Sequence, residues 1–162
     1  MKPVLSRHLQ ATLNKFIENT SLNKNPYYYV KRSYINETRN QKRKVLLRHL
    51  HSMKKRKENI SLITAYDYNQ AKLADSVGID AILVGDSCAN VMCGYHRTSK
   101  LSFDAMIHHC KSVINGTQHA YIIGDMTFGT YLTVYDALKN AARLISEAGV
   151  SCVKLEGFLP DT

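Results

Sequence analysis

Acidic residues are nearly missing from the first third of this chain. Residues 1–57 hold 15 Lys or Arg against two acids, Glu18 and Glu37, a balance of +13. Residues 58–162 hold seven Lys or Arg against eleven acids, a balance of −4, and the whole returns +9. So uneven a distribution reads as a basic extension, 1–57, joined near Glu58 to a mildly acidic domain, 58–162. Long apolar runs are also missing. None approaches the roughly 18–20 residues that a membrane helix needs, so no membrane span is expected. The four cysteines, Cys88, Cys93, Cys110 and Cys152, form no C-x-x-C pair, and no secretory signal precedes them. Reduced thiols are the expectation. Cys88 and Cys93 with His96 have loose spacing for zinc and lack an evident fourth ligand. There is no P-loop and no G-x-G-x-x-G, so the usual phosphate cradles are excluded. Gly85-Asp86-Ser87 lacks the flanks of a nucleophile elbow, which argues against Ser87 as a hydrolase nucleophile.

What is present begins with the extension. Val4, Leu5, Leu9, Leu13 and Phe16 alternate with Arg7, His8 and Lys15. That spacing predicts a short basic amphipathic helix of the kind found in organelle transit peptides. A mitochondrial location is expected, with the cytoplasm as the alternative. Beyond it lie Tyr27 to Tyr29 and a basic stretch from Lys31 to Lys57. Such clusters can hold nucleic-acid phosphates while aromatics stack on bases, so an RNA-binding protein is one alternative function. No zinc, helix-turn-helix or ribonucleoprotein signature accompanies them, and nucleic acid is not the expected partner.

From Glu58 onward the pattern changes. Ile60 to Ala65, Ala81 to Val84, Ala120 to Ile123 and Cys152 to Leu155 are continuous apolar runs, as in strands buried on both faces of a parallel sheet. Helix patterns lie between them. Asn69 to Val77 closes at Gly78, Ser102 can cap a helix to about Ile114, and Thr133 can cap one through Ala148. The order β-α-β-loop-α-β-α-β predicts an α/β fold with a parallel sheet. Leu73 to Val84 and Leu144 to Leu155 echo each other: helix end, glycine, turn, buried strand. Repetition of that unit favours a β/α barrel of the TIM type, here about four units.

Each of the four strands ends in or beside an acid: Asp67, Asp86, Asp125 and Glu156. In a parallel sheet all strand C-termini share one face, where such barrels carry their sites. Clustered carboxylates repel unless a cation sits among them, and oxygen-only ligands suit Mg²⁺. The plainer alternative is that strand-end acids cap the next helix, which fits Asp67 well. Lys154 lies two residues before Glu156, so both side chains point to one side of the strand. Either an acid or a substrate would satisfy its charge. Adjacent His108 and His109 point about 100° apart on their helix, which suits packing better than shared metal ligation.

At this point the residues resemble a family. Leu62 to Tyr68 (LITAYDY), Leu83 to Ser87 (LVGDS), Gly124 to Phe128 (GDMTF), Val153 to Gly157 (VKLEG) and the helix segment Asp104 to His109 occur in the order of the strand motifs of ketopantoate hydroxymethyltransferase. The likeness covers about residues 57–158. It implies a β/α barrel and transfer of a hydroxymethyl group from 5,10-methylenetetrahydrofolate to 3-methyl-2-oxobutanoate. It further implies Asp86 and Asp125 as Mg²⁺ ligands, with Glu156 a further acid in or near the metal shell. Asp86, Ser87, Asp125 and Lys154 would bind the 2-oxoacid.

The resemblance also has gaps. Where the family usually reads His-Asp, Thr and Leu-Pro after its glycine, this chain reads Tyr95 to Lys100 after Gly94. The family's general base is a Glu from a later strand, and no residue here corresponds to it. An eight-unit barrel needs about 250 residues. The expectation is therefore a truncated, homo-oligomeric form of the enzyme. The alternative within the same fold is a non-catalytic remnant that binds metal and 2-oxoacid or pairs with a partner subunit. Unpaired sheet edges and an apolar inner face are expected to drive association.

Overall fold

Short apolar runs alternating with capped helices can bury both sides of each run only in a sheet flanked by helices. In a computed structural model that describes residues 43–157, the strands are β1 (Leu62–Thr64), β2 (Ala81–Val84), β3 (Tyr121–Asp125) and β4 (Cys152–Lys154). They lie in the order β1-β2-β3-β4, and each neighbouring pair is parallel. The helices are α1 (Leu47–Lys55), α2 (Tyr68–Val77), α3 (Cys88–Val91), α4 (Phe103–Gly116) and α5 (Val134–Arg143). A 3₁₀ turn, Thr98–Lys100, precedes α4, and α5 runs into a π-helical turn, Leu144–Ala148. Strands adjacent in sequence are adjacent in space, as in successive βα units of a barrel.

Side-chain oxygens fix where the helices start. Asp67 Oδ1 accepts from the Gln70 N–H at 2.8 Å, Ser102 Oγ from the Ala105 N–H at 3.2 Å, and Thr133 Oγ1 from the Asp136 N–H at 3.1 Å. Each satisfies a donor that the first turn leaves unpaired. The repeated stop is equally physical. Gly78 has φ +87° and Gly149 has φ +81°, left-handed positions that glycine adopts without steric cost. Asp75, buried in α2, accepts the N–H groups of Gln118, His119 and Ala120 at 2.8–3.1 Å and so ties α2 to the entry of β3.

The sheet has two distinct faces. Ile82, Val84 and Ile122 are fully buried, and α4 covers this side with Met106, Cys110 and Val113. Burying side chains of this size stabilises the fold by about 1.5–3 kcal/mol each. Gly124 belongs to the same face. A Cβ there would meet Val150 at 3.1 Å, Leu144 at 3.3 Å and Cys110 at 3.4 Å. Strand side chains alternate, so Asp125 must project from the opposite, inner face.

Two expectations change. β1 is not buried on both sides: Leu62 and Ile63 are 51% and 46% exposed. It stands at the sheet edge with β2 as its one neighbour in the sheet, and β4, the other edge strand, is only partly buried, with Leu155 beyond it 52% exposed. The second change concerns residues 43–57, assigned to the extension. They include α1, Met53 is buried, and the Val45 N–H donates to the His119 carbonyl at 2.7 Å. Arg56 is paired with Glu58 at 2.7 Å and 2.8 Å. The amphipathic stretch Val4–Phe16 and the tyrosines at 27–29 lie outside the described residues. Among the described residues, no helix is long and apolar enough to cross a membrane.

Candidate active site at the strand ends

Strand register decides which acids can meet. Asp125 closes β3 directly opposite Lys154, the last residue of β4. Partners in a parallel ladder put their side chains on the same face. Accordingly, Lys154 Nζ donates to Asp125 Oδ2 at 2.6 Å. The same oxygen accepts the Asp86 N–H at 3.2 Å, because Asp86 lies two residues past the end of the neighbouring β2. Asp125 is only 2% exposed. A buried carboxylate of this kind is tolerable because a cation and a backbone donor compensate its charge.

Lys154 is shared. Its Nζ also lies 2.6 Å from Glu156 Oε1. Burial pulls the ammonium toward losing its proton, but hydrogen bonds to Asp125 and Glu156 and their negative charges outweigh this, and its pKa lies above the ordinary lysine value. The site therefore carries a fixed positive charge at neutral pH.

Asp86 is half-buried, and its carboxylate forms no hydrogen bond or ion pair among the described residues. Beside it, Ser87 Oγ lies 2.8 Å from the phenol oxygen of Tyr66, a buried residue just past β1. The Tyr66 N–H donates to Gln70 Oε1 at 3.0 Å, and its carbonyl accepts from His109 Nδ1 at 2.7 Å.

Sequence reasoning placed Asp86, Ser87, Asp125, Lys154 and Glu156 at one rim, and hydrogen bonds link Asp86 through Asp125 and Lys154 to Glu156. The expected three-carboxylate metal set, Asp86, Asp125 and Glu156, is not assembled. Among the described residues, no three His, Cys, Asp or Glu side chains are grouped closely enough to hold an ion. The Lys154 ammonium bonds both Asp125 and Glu156, and the Glu156 side chain is 72% exposed. Asp67 caps α2, as its position before that helix allowed. Tyr66 and His109 were not singled out for the site. The signal for Tyr66 was its place at the end of the first strand; nothing local marks His109, 43 residues away.

Two other features lie apart from this chemistry. A cavity of about 300 Å³ is lined by Lys72, Asp75, Asn115, Gly116 and His119, and none of the strand-end acids Asp67, Asp86, Asp125 and Glu156 lines it. Burial, first, and neighbouring charges (Cys93 beside Cys88, Cys88 and Asp125 beside Cys110) push the Cys88 and Cys110 thiols up to about 12, so both are protonated at neutral pH.

Comparison with known proteins agrees with this arrangement of motifs. The profile described as ketopantoate hydroxymethyltransferase matches residues 44–160. A 3-methyl-2-oxobutanoate hydroxymethyltransferase of Clostridium botulinum (strain 657 / Type Ba4) is 53% identical over 106 residues, 65% of this chain and 38% of that protein. One from Chloroflexus aurantiacus (strain ATCC 29366 / DSM 635 / J-10-fl) is 46% identical over 114 residues, 70% of this chain and 41% of its own length. The chain thus spans about two fifths of these relatives. Among solved structures, 2,3-dimethylmalate lyase, of the PEP mutase/isocitrate lyase superfamily, aligns with a TM-score of 0.50 and 18% identity over 65% of this chain and 37% of that one. That likeness concerns the fold alone, an α/β arrangement of parallel strands alternating with helices. With a family profile matched across most of its length, the chain belongs to the ketopantoate hydroxymethyltransferase family.

Proposed function

We propose that these strand ends form the metal- and 2-oxoacid-binding part of a site that transfers a hydroxymethyl group from 5,10-methylenetetrahydrofolate to 3-methyl-2-oxobutanoate. The observation that carries this is the buried Asp125 carboxylate, held by Lys154 and the Asp86 N–H at the strand ends. The donor set fits Mg²⁺. It consists of oxygens only, and Mg²⁺ takes one or two carboxylates and leaves its other positions to water and substrate. Asp86, with no competing partner among the described residues, and Asp125 would hold the ion. Glu156 would act at one remove, through Lys154. Bound there, the metal supplies electron withdrawal that makes the C3 proton of a 2-oxoacid more acidic.

This chain's residues do the binding and orienting. The Lys154 ammonium has three N–H donors and spends two on Asp125 and Glu156, leaving one for the substrate carboxylate. Ser87 offers a hydroxyl donor beyond the end of β2, two strands away. Holding both in place before substrate arrives removes reorganisation from the binding step. Proton removal is not assigned to a residue of this chain. It belongs with the Glu that the family places on a later strand.

Proton NMR in D₂O tests the proposal. With Mg²⁺ present and folate absent, saturation transfer should show 3-methyl-2-oxobutanoate binding to the protein, and Asp86→Ala should abolish that binding while the C3 proton exchanges no faster than in buffer. Faster exchange with solvent deuterium would show that the chain also supplies a base. No magnesium-dependent binding would end the proposal.

A further inference from the structure

We infer that Tyr66 is a positioning residue that sets the Ser87 hydroxyl for the carboxylate of a 2-oxoacid. This rests on the site proposed above. Tyr66 is 5% exposed, and its phenol lies 2.8 Å from Ser87 Oγ. Its backbone is clamped on both sides. The N–H is held by Gln70 of α2, and the carbonyl by His109 of α4. Because a carbonyl can only accept, His109 Nδ1 carries the proton in this contact. The phenol therefore reaches Ser87 from a backbone position that two helices fix.

The consequence for Ser87 follows from the hydroxyl inventory. A serine hydroxyl has one proton and two lone pairs, and its rotor is otherwise free. When the phenol donates to Ser87 Oγ, the serine proton must point elsewhere, and a substrate carboxylate is an acceptor for it. A donor bonded behind also strengthens the bond in front. Gly85 adds an independent constraint. A Cβ at that position would stand 3.1 Å from Ser87 Oγ, so the serine oxygen sits where only glycine leaves it full room. The hydroxyl is thus located by Tyr66 from one strand end and by the absent side chain of Gly85 on its own.

A double-mutant cycle on binding tests this. The affinity of 3-methyl-2-oxobutanoate, with Mg²⁺ present, is measured by titration calorimetry for wild type, Tyr66→Phe, Ser87→Ala and the double variant. Tyr66→Phe should weaken binding about three- to tenfold, the size of one hydrogen bond. The double variant should bind no worse than Ser87→Ala alone, because Tyr66 acts through Ser87. A merely structural tyrosine would give additive losses or no loss, and either result overturns the inference. Should Tyr66→Phe fail to fold, Gly85→Ala probes the same oxygen without touching the phenol, and its loss should likewise be absent on the Ser87→Ala background. A wild-type chain that binds no oxoacid would overturn the site itself. Wild-type binding that Tyr66→Phe leaves unchanged would overturn only the role of Tyr66.

Discussion

Lys154 balances the charge of the candidate site. It faces a nearly buried Asp125 and an exposed Glu156 with one ammonium. Replacing it by methionine would leave Asp125 buried with only the Asp86 N–H for compensation. Lys154 is one-third exposed, so water relieves part of the penalty, and the cost should be about 1–3 kcal/mol rather than the full loss of a buried pair. Its pKa is raised on folding, so the ammonium contributes stability fully below the ordinary lysine value of 10.5 and loses it as pH rises through the higher folded value. Urea denaturation of wild type and Lys154→Met should therefore differ at pH 7, and the difference should shrink once pH rises above 10.5. An equal difference at both pH values would show that Lys154 stabilises by packing alone.

At the scale of elements, the helices and the middle strands were legible because their signals are local. Asp67, Ser102 and Thr133 mark helix starts by oxygens that bond three residues on, and Gly78 and Gly149 mark stops by a conformation that other residues avoid. The exposure of β1 was not legible, because an edge strand and a central strand have the same apolar run; what differs is the neighbour. α1 was hidden by charge. Lys54, Lys55 and Arg56 dominate its end, while Met53 alone among its side chains is buried. α5 has no buried residue at all, and Val134, Tyr135 and Leu138 are 68–79% exposed. Val134 and Leu138 lie one turn apart on one face, and Leu132 and Ile145 extend the exposed apolar surface. Exposed apolar surface of this kind favours association. Sedimentation velocity should show the chain self-associating as its concentration rises, and Val134→Glu with Leu138→Lys should reduce this. A monomer at all concentrations, with a sharp melting transition, would contradict it.

The whole molecule brings together residues as far apart in sequence as Asp86 and Glu156 by one rule: parallel strands present all their C-terminal ends on one side. That rule made Asp67, Asp86, Asp125, Glu156 and Lys154 readable as a group from the sequence, and the family resemblance added Ser87. It could not show that Lys154 would stand between Asp125 and Glu156, since that depends on which carboxylate lies within reach of one ammonium. Nor could it show the links from Tyr66 to Ser87 and His109, which depend on how α4 packs beside the end of β1.

Whether Asp86 and Asp125 bind a hard cation together with a 2-oxoacid is tested most directly by the magnesium dependence of binding. Titration calorimetry with 3-methyl-2-oxobutanoate should show binding with Mg²⁺, loss of that binding when EDTA removes the metal, and loss in Asp86→Ala even with metal present. Oxoacid binding indifferent to both magnesium and Asp86, or no binding at all, would contradict the site.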